Sequence, residues 1–118
     1  TAWLFNRRQA RKHLMKIQIN TDKNIAGDAR LNQYAEGVVE RALRHLAAHI
    51  TRVEVHLSDE NSAKPGTSDK RCMMEARIEG RQPIAVMHDA ANLQQAIDGA
   101  AGKLKNSLDH TLGKRSDH

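Results

Sequence analysis

Apolar and polar residues alternate, then recur at helical spacing, then alternate again along this 118-residue chain. Lys16–Asn20 (KIQIN) alternates with Ile17 and Ile19 on one side, the period of a half-buried strand. Thr21–Gly27 is a polar connection, and Asp28 follows as an N-cap whose carboxylate can accept from free N–H groups of a first helical turn. Leu31, Ala35, Val38, Val39, Ala42, Leu43 and Leu46 then recur at helical spacing, predicting one helix to about His49. Thr51–Asp59 alternates with Val53, Val55 and Leu57 inward. Glu60–Asp69, with Pro65-Gly66, reads as a loop. Lys70–Glu79 alternates with Cys72, Met74, Ala76 and Ile78 inward, and Gly80-Arg81 turns the chain into a fourth strand, Gln82–His88, with Ile84 and Val86 inward. Asn92 with Gln95 is capping-box-like, opening a second helix of Leu93, Ile97, Ala101, Leu104, Leu108 and Leu112 that ends near Gly113.

The order is β-α-β-β-β-α. A helix between the first two strands predicts that they are parallel with a right-handed crossover; the later strands pair as hairpins. One sheet face alternates strongly apolar, so both helices must bury their stripes on it. The fold class is α+β: a two-layer sandwich of a four-stranded sheet with two helices on one face, a layering that double-stranded-RNA-binding domains share. The predicted organisation is a basic N-terminal tail (1–14), one domain (15–115) and a short C-terminal tail (116–118). The tail is expected to be either a native basic arm or a disordered or appended extension.

Charge changes the picture once it is located. The formal net charge is +5, but Arg7, Arg8, Arg11 and Lys12 supply four of those units in a tail without acids, leaving +1 for the rest. If the domain binds a polyanion, its cations must therefore be segregated by geometry. At about 100° per residue with Leu31 at zero, Arg30, Arg41 and Arg44 fall at roughly 260°, 280° and 220°, while Glu36 and Glu40 fall at roughly 140° and 180°. On the second helix, with Leu93 at zero, Lys103, His110 and Lys114 fall at roughly 280°, 260° and 300°, and Asp98 and Asp109 at roughly 140° and 160°. Each helix thus sorts its charges onto opposite flanks, and the cations are expected to converge in one furrow beside the paired helices. Lys105 sits with the acids and is positioned to pair with Asp109. Gly37 precedes Arg41 by one turn and Gly99 precedes Lys103 likewise. Such glycines either admit a phosphate backbone or ease helix–helix contact.

The candidate chemistry is recognition rather than catalysis. Trp3 and Phe5 lie in the tail and Tyr34 on the first helix, so no strand carries an aromatic on which a splayed base could stack. RNA shape and phosphate positions are what remain to be read. His45 and His49 have metal-compatible spacing without an acid ligand nearby, and read as partly buried or surface histidines. Cys72, the lone cysteine, is expected inward and inert, and it allows neither an internal disulfide framework nor a cysteine zinc site. No Walker loop or dinucleotide fingerprint is present. We therefore expect no enzyme, no cofactor, no metal and no small-molecule substrate. No apolar run is long enough to span a membrane and no secretory signal is evident, so a cytoplasmic location is expected.

Three stretches carry a family resemblance: Thr51–Asn61 (TRVEVHLSDEN), Lys70–Arg77 (KRCMMEAR) and Leu93–Leu104 (LQQAIDGAAGKL). Together, over the predicted element order, they resemble the ribosome hibernation promoting factors, also called ribosome-associated translation inhibitors. Ala96–Gly99 (AIDG) followed by Lys103-Leu104 looks like that family's second-helix signature. The resemblance covers about Met15 to Lys114. It implies a non-enzymatic stress or stationary-phase factor that binds small-subunit ribosomal RNA between head and body, in the space of mRNA and of the A- and P-site tRNAs. Such a factor silences translation by steric occlusion. With little chain after Leu112, the resemblance is to the short form, which lacks the extra C-terminal dimerisation domain; self-association is not predicted. Carried over by residue, Arg41 and Arg44 match basic places on the family's first helix, Lys103 the lysine after the AIDG signature, and Lys114 a basic place near the end. Arg30 and Arg115 are peripheral candidates. Asn106, His110 and Leu112 stand where the family often has further lysines or arginines. A generic structured-RNA-binding domain and a protein–protein regulatory module are the alternative readings.

Overall fold

A computed structural model describes residues 15–23, 25, 27–60 and 70–116. The first strand, β1, spans Lys16–Thr21. After it Ile25 turns inward and is buried, an apolar anchor inside a connection that composition alone marks as polar. Helix α1 spans Ala29–Leu43, and Asp28 caps it from an extended backbone, its carboxylate accepting from the Leu31 N–H at 2.8 Å. The expected helical span does reach His49, but its end tightens into a 3₁₀ segment, Arg44–His49. That tightening lowers the chain onto the sheet, where Ile50 is fully buried.

Strand β2, Ile50–Asp59, pairs parallel to β1, with Ile17 opposite Val53 and Ile19 opposite Val55. Strand β3, Lys70–Ile78, runs antiparallel to β2, and β4, Ile84–Ala90, antiparallel to β3. The sheet order is β1-β2-β3-β4. The last strand starts two residues later than the alternation predicts. Pro83 has no N–H to give a ladder, and the strand ends instead on buried Ala90. Gly80, at φ +76°, turns the β3–β4 hairpin.

Helix α2 spans Leu93–Ser116. Asn92 caps it, accepting from the Gln95 N–H at 2.8 Å. It runs through Gly113 rather than stopping there, because Gly113 keeps a negative φ and does not form a left-handed cap.

Both helices cover one face of the sheet, α1 lying over β1 and α2 over β3 and β4. Val53, Val55, Leu57, Cys72, Met74 and Ala76 rise from the sheet to meet Ala35, Val39, Leu43, Ile97, Leu104 and Leu108. Ala96 and Ala100 are also fully buried, a pair the leucine stripe did not announce. Small side chains let α2 approach the strands closely. Closest of all is Gly99, where an added Cβ would overlap the imidazole of His88 on β4. This glycine seats a strand side chain, and neither a phosphate nor a neighbouring helix occupies the space.

Two polar links tie the helices together. The Tyr34 hydroxyl donates to Asp98 at 2.7 Å, and His45 Nε2 meets Asp109 at 2.7 Å. Both pairs are 64 residues apart in sequence, so the links lie in register and the helices run parallel. Asp109 also accepts from Lys105 at 2.9 Å, as their spacing predicts. The hydrogen bond to His45, then the one to Lys105, lowers the Asp109 carboxyl below its ordinary pKa.

Gly99→Ala is expected to destabilise the fold by about 1–2 kcal/mol net, overpacking against His88 outweighing the gain in helix propensity. Thermal melts check this, and His88→Ala in the same chain should relieve the loss. A second outcome concerns acid. A depressed carboxylate pKa contributes stability above the unfolded value, and that contribution is lost as pH falls through the folded one. Asp109→Asn should therefore lower the melting temperature at neutral pH, with the difference from the unsubstituted chain shrinking only below roughly pH 4, the ordinary carboxylate range, and vanishing once the depressed folded value is passed. A difference that is constant with pH would contradict the assignment.

Candidate nucleic-acid interface

The direction of the helices decides where the sorted charges go. Two parallel helices on the same sheet face present opposite flanks to each other. Both carry cations on the same flank by the helical wheel, so the basic side of α1 meets the acidic side of α2. The links just described lie on that seam, with Tyr34 contributed by α1, His45 by the 3₁₀ segment that continues it, and Asp98 and Asp109 by α2. The expectation that both sets of cations converge in one furrow is thus corrected. The acid that His45 lacked in sequence is likewise supplied from the other helix.

Arg30 and Arg41 on α1, and Arg44 at the start of the 3₁₀ segment that continues it, are all exposed, and no carboxylate lies within ion-pair distance of them among the described residues. They follow the rim of the seam on the solvent side. Arg41 folds back over Gly37, where a Cβ would lie 3.1 Å from Nη1. Its positive charge reaches Tyr34 and favours the phenolate there. The hydrogen bond to Asp98 acts more strongly the other way, and the Tyr34 pKa is raised.

On α2, Lys103 points away from this seam. Its ammonium donates to the Met87 carbonyl at 2.9 Å, on β4 at the edge of the sheet. Nearby, Asp89 is gripped by Arg71 at 2.8 and 3.2 Å. The hydrogen bond to Arg71 holds the Asp89 carboxyl below its ordinary pKa, with smaller contributions from the Arg71, His88 and Lys103 charges. Lys114 and Arg115 belong to the last turn of α2, and their side chains lie outside the described residues.

The opposite, open face of the sheet is charged but internally paired. Glu54 lies 3.2 Å from Arg52, 3.4 Å from His56 and 3.6 Å from Arg77, while Glu75 lies 3.7 Å from Arg77. Arg52 Nε lacks the alignment of a hydrogen bond to Glu54, and another of its nitrogens donates to Gln18. Met73 and Met87, directly opposed across β3 and β4, add an exposed apolar spot. No aromatic side chain stands on this face among the described residues, so it offers no base-stacking platform. Cys72 is fully buried in the core, as the alternation places it, and burial pushes its thiol up to about 12. The expected loop at 61–69 and the tail at 1–14 lie outside the described residues.

Comparison with known proteins adds an independent line. Residues 17–116 match the family model described as Sigma 54 modulation protein / S30EA ribosomal protein. Among solved structures, the N-terminal domain of Protein Y from Thermus thermophilus superposes with a TM-score of 0.66 at 20% identity, covering 82% of this chain and 99% of that one. A ribosomal subunit interface protein from Coxiella burnetii gives a TM-score of 0.69 at 14% identity, covering 84% and 99%. At such identities these two likenesses speak for the fold alone. No curated protein matches the chain. Because the family match spans the whole β-α-β-β-β-α domain, in the group its sequence motifs resemble, the chain belongs to the Sigma 54 modulation protein / S30EA ribosomal protein family.

Proposed function

We propose that this chain is a ribosome-associated hibernation factor that docks on small-subunit ribosomal RNA in the mRNA and tRNA channel and inhibits translation by occupying that space. The observation that carries this reading is the contrast between two sets of arginines. Those on the open sheet face, Arg52, Arg71 and Arg77, are held by carboxylates. Those on α1 and the turn that continues it, Arg30, Arg41 and Arg44, are exposed and without acid partners among the described residues. Unpaired guanidiniums on a rigid helix are suited to phosphate oxygens, which they can bind through two parallel N–H donors. Family membership supports the ribosome as the source of those phosphates.

In this reading Arg41 and Arg44 make the principal contacts, and Arg30 extends the row. Lys103 supplies a second cation at the β4 edge, and Lys114 and Arg115, in the last turn of α2, are further candidates. Inhibition needs no chemistry: a folded domain seated on the RNA excludes the ligands that share the site. No described helix is long and apolar enough to cross a membrane.

Co-sedimentation with small subunits over a salt series tests the reading, alongside a cell-free translation assay. Reversing Arg41 and Arg44 to Glu together should weaken binding on the order of tenfold or more and flatten the salt dependence by roughly one to two ions. Lys103→Glu, measured separately, should weaken it less, because its ammonium already serves the Met87 carbonyl. Binding of the arginine double variant at the unsubstituted level would dismiss α1 as the docking element. Displacement from ribosomes by excess free duplex RNA would mark a generic structured-RNA binder instead.

A further inference from the structure

Gly37 lies in the middle of α1 at a position where alanine would form helix more readily. The three atoms nearest to where its Cβ would stand all belong to one guanidinium: Arg41 Nη1 at 3.1 Å, Cζ at 3.8 Å and Nη2 at 3.9 Å. The arginine, one turn further along, therefore lies back across bare backbone. The neighbouring side chain on this flank, Tyr34, is fixed by its hydrogen bond to Asp98, and the charge of Arg41 is felt at its hydroxyl. The other glycines of the helices differ. Gly99 is filled by His88, while Gly102 and Gly113 face open space.

We propose that Gly37 is a positioning residue for the docking surface, its missing side chain giving Arg41 a seat along α1 from which the guanidinium meets an RNA phosphate. This rests on the reading of α1 as the phosphate-binding element. A free arginine has wide rotamer freedom, and ordering it on binding costs affinity. Seated in advance, the planar group keeps its outer edge in solvent and can offer two N–H donors to one phosphate. A methyl group at position 37 would force the guanidinium to give by a few tenths of an ångström, and the proposal expects that shift to loosen its seat. The same methyl adds helix propensity, so the effect on stability and the effect on binding have opposite signs.

The test uses the full chain and two independent readouts. The first is ¹⁵N relaxation of the Arg41 Nε–H in the free protein, ordered in the unsubstituted chain and mobile in Gly37→Ala. The second is co-sedimentation with small ribosomal subunits. Gly37→Ala should melt at or above the unsubstituted temperature yet bind on the order of threefold to tenfold more weakly. Gly102→Ala should bind normally, and Gly37→Ala should have no added effect in an Arg41→Ala background. A mobile Arg41 Nε–H in the unsubstituted chain overturns the seat without any variant. Normal binding by Gly37→Ala, with Arg41→Ala weakened, overturns the seat but leaves the docking reading standing. Normal binding by Arg41→Ala removes both.

Discussion

Everything on the surface of this domain follows from one constraint in its core: a single apolar sheet face must cover two helical stripes. The parallel pairing of β1 with β2 sends α1 back across the sheet, and the antiparallel hairpins then bring α2 across in the same direction. Burying one large aliphatic side chain is worth about 1.5–3 kcal/mol, and α1 and α2 together bury several, among them Val39, Leu43, Ile97, Leu104 and Leu108. An exposed ion pair is worth about 0–1 kcal/mol. The core therefore fixes which flanks meet, and the charges must live with the result.

They do so by an exchange of partners. With the basic flank of one helix abutting the acidic flank of the other, simple Arg–Asp bridges are the obvious way to fill the seam. Instead Tyr34 and His45 hold Asp98 and Asp109. Across the seam the carboxylates meet groups that carry no permanent positive charge, Lys105 on the same helix completes Asp109, and the arginines on the rim stay available. On the open face of the sheet the pairing is the ordinary kind, with Glu54 shared among Arg52, His56 and Arg77. The domain thus has cations that are spent and cations that are not, and the unspent arginines of α1 share one edge of one helix.

In the proposed reading, such a surface recognises the positions of phosphates rather than the identity of bases. Guanidiniums carried on a helix that is capped, packed and tied to its neighbour hold a fixed spacing, which suits a folded RNA whose backbone is itself fixed. A family of ribosome-associated proteins is a natural setting for that kind of recognition. The proposed occlusion would add only the requirement that the domain keep its shape when bound, which a core of fully buried aliphatic side chains suits.

Periodicity determined a great deal here: all six elements in order, both N-caps at Asp28 and Asn92, the inward face of β2 and β3, and the sorting of charge on each helix. Those are local properties, set by a residue and its neighbours within a turn or a pleat. Their ends were less legible, because the tightened turn before Ile50, the late start of β4 after Pro83 and the passage of α2 through Gly113 depend on where the chain must arrive. The role of Gly99 and the partner of His45 were hidden as well, since each is supplied by an element far away in sequence. The relative direction of the helices was in principle readable from the strand order, yet its consequence emerges only when the two helical wheels are set side by side. Sequence alone told which side of each helix is basic. Only the tertiary structure decided that those sides point to different places, because packing, at several kcal/mol per layer, outranks the weak attraction between exposed charges.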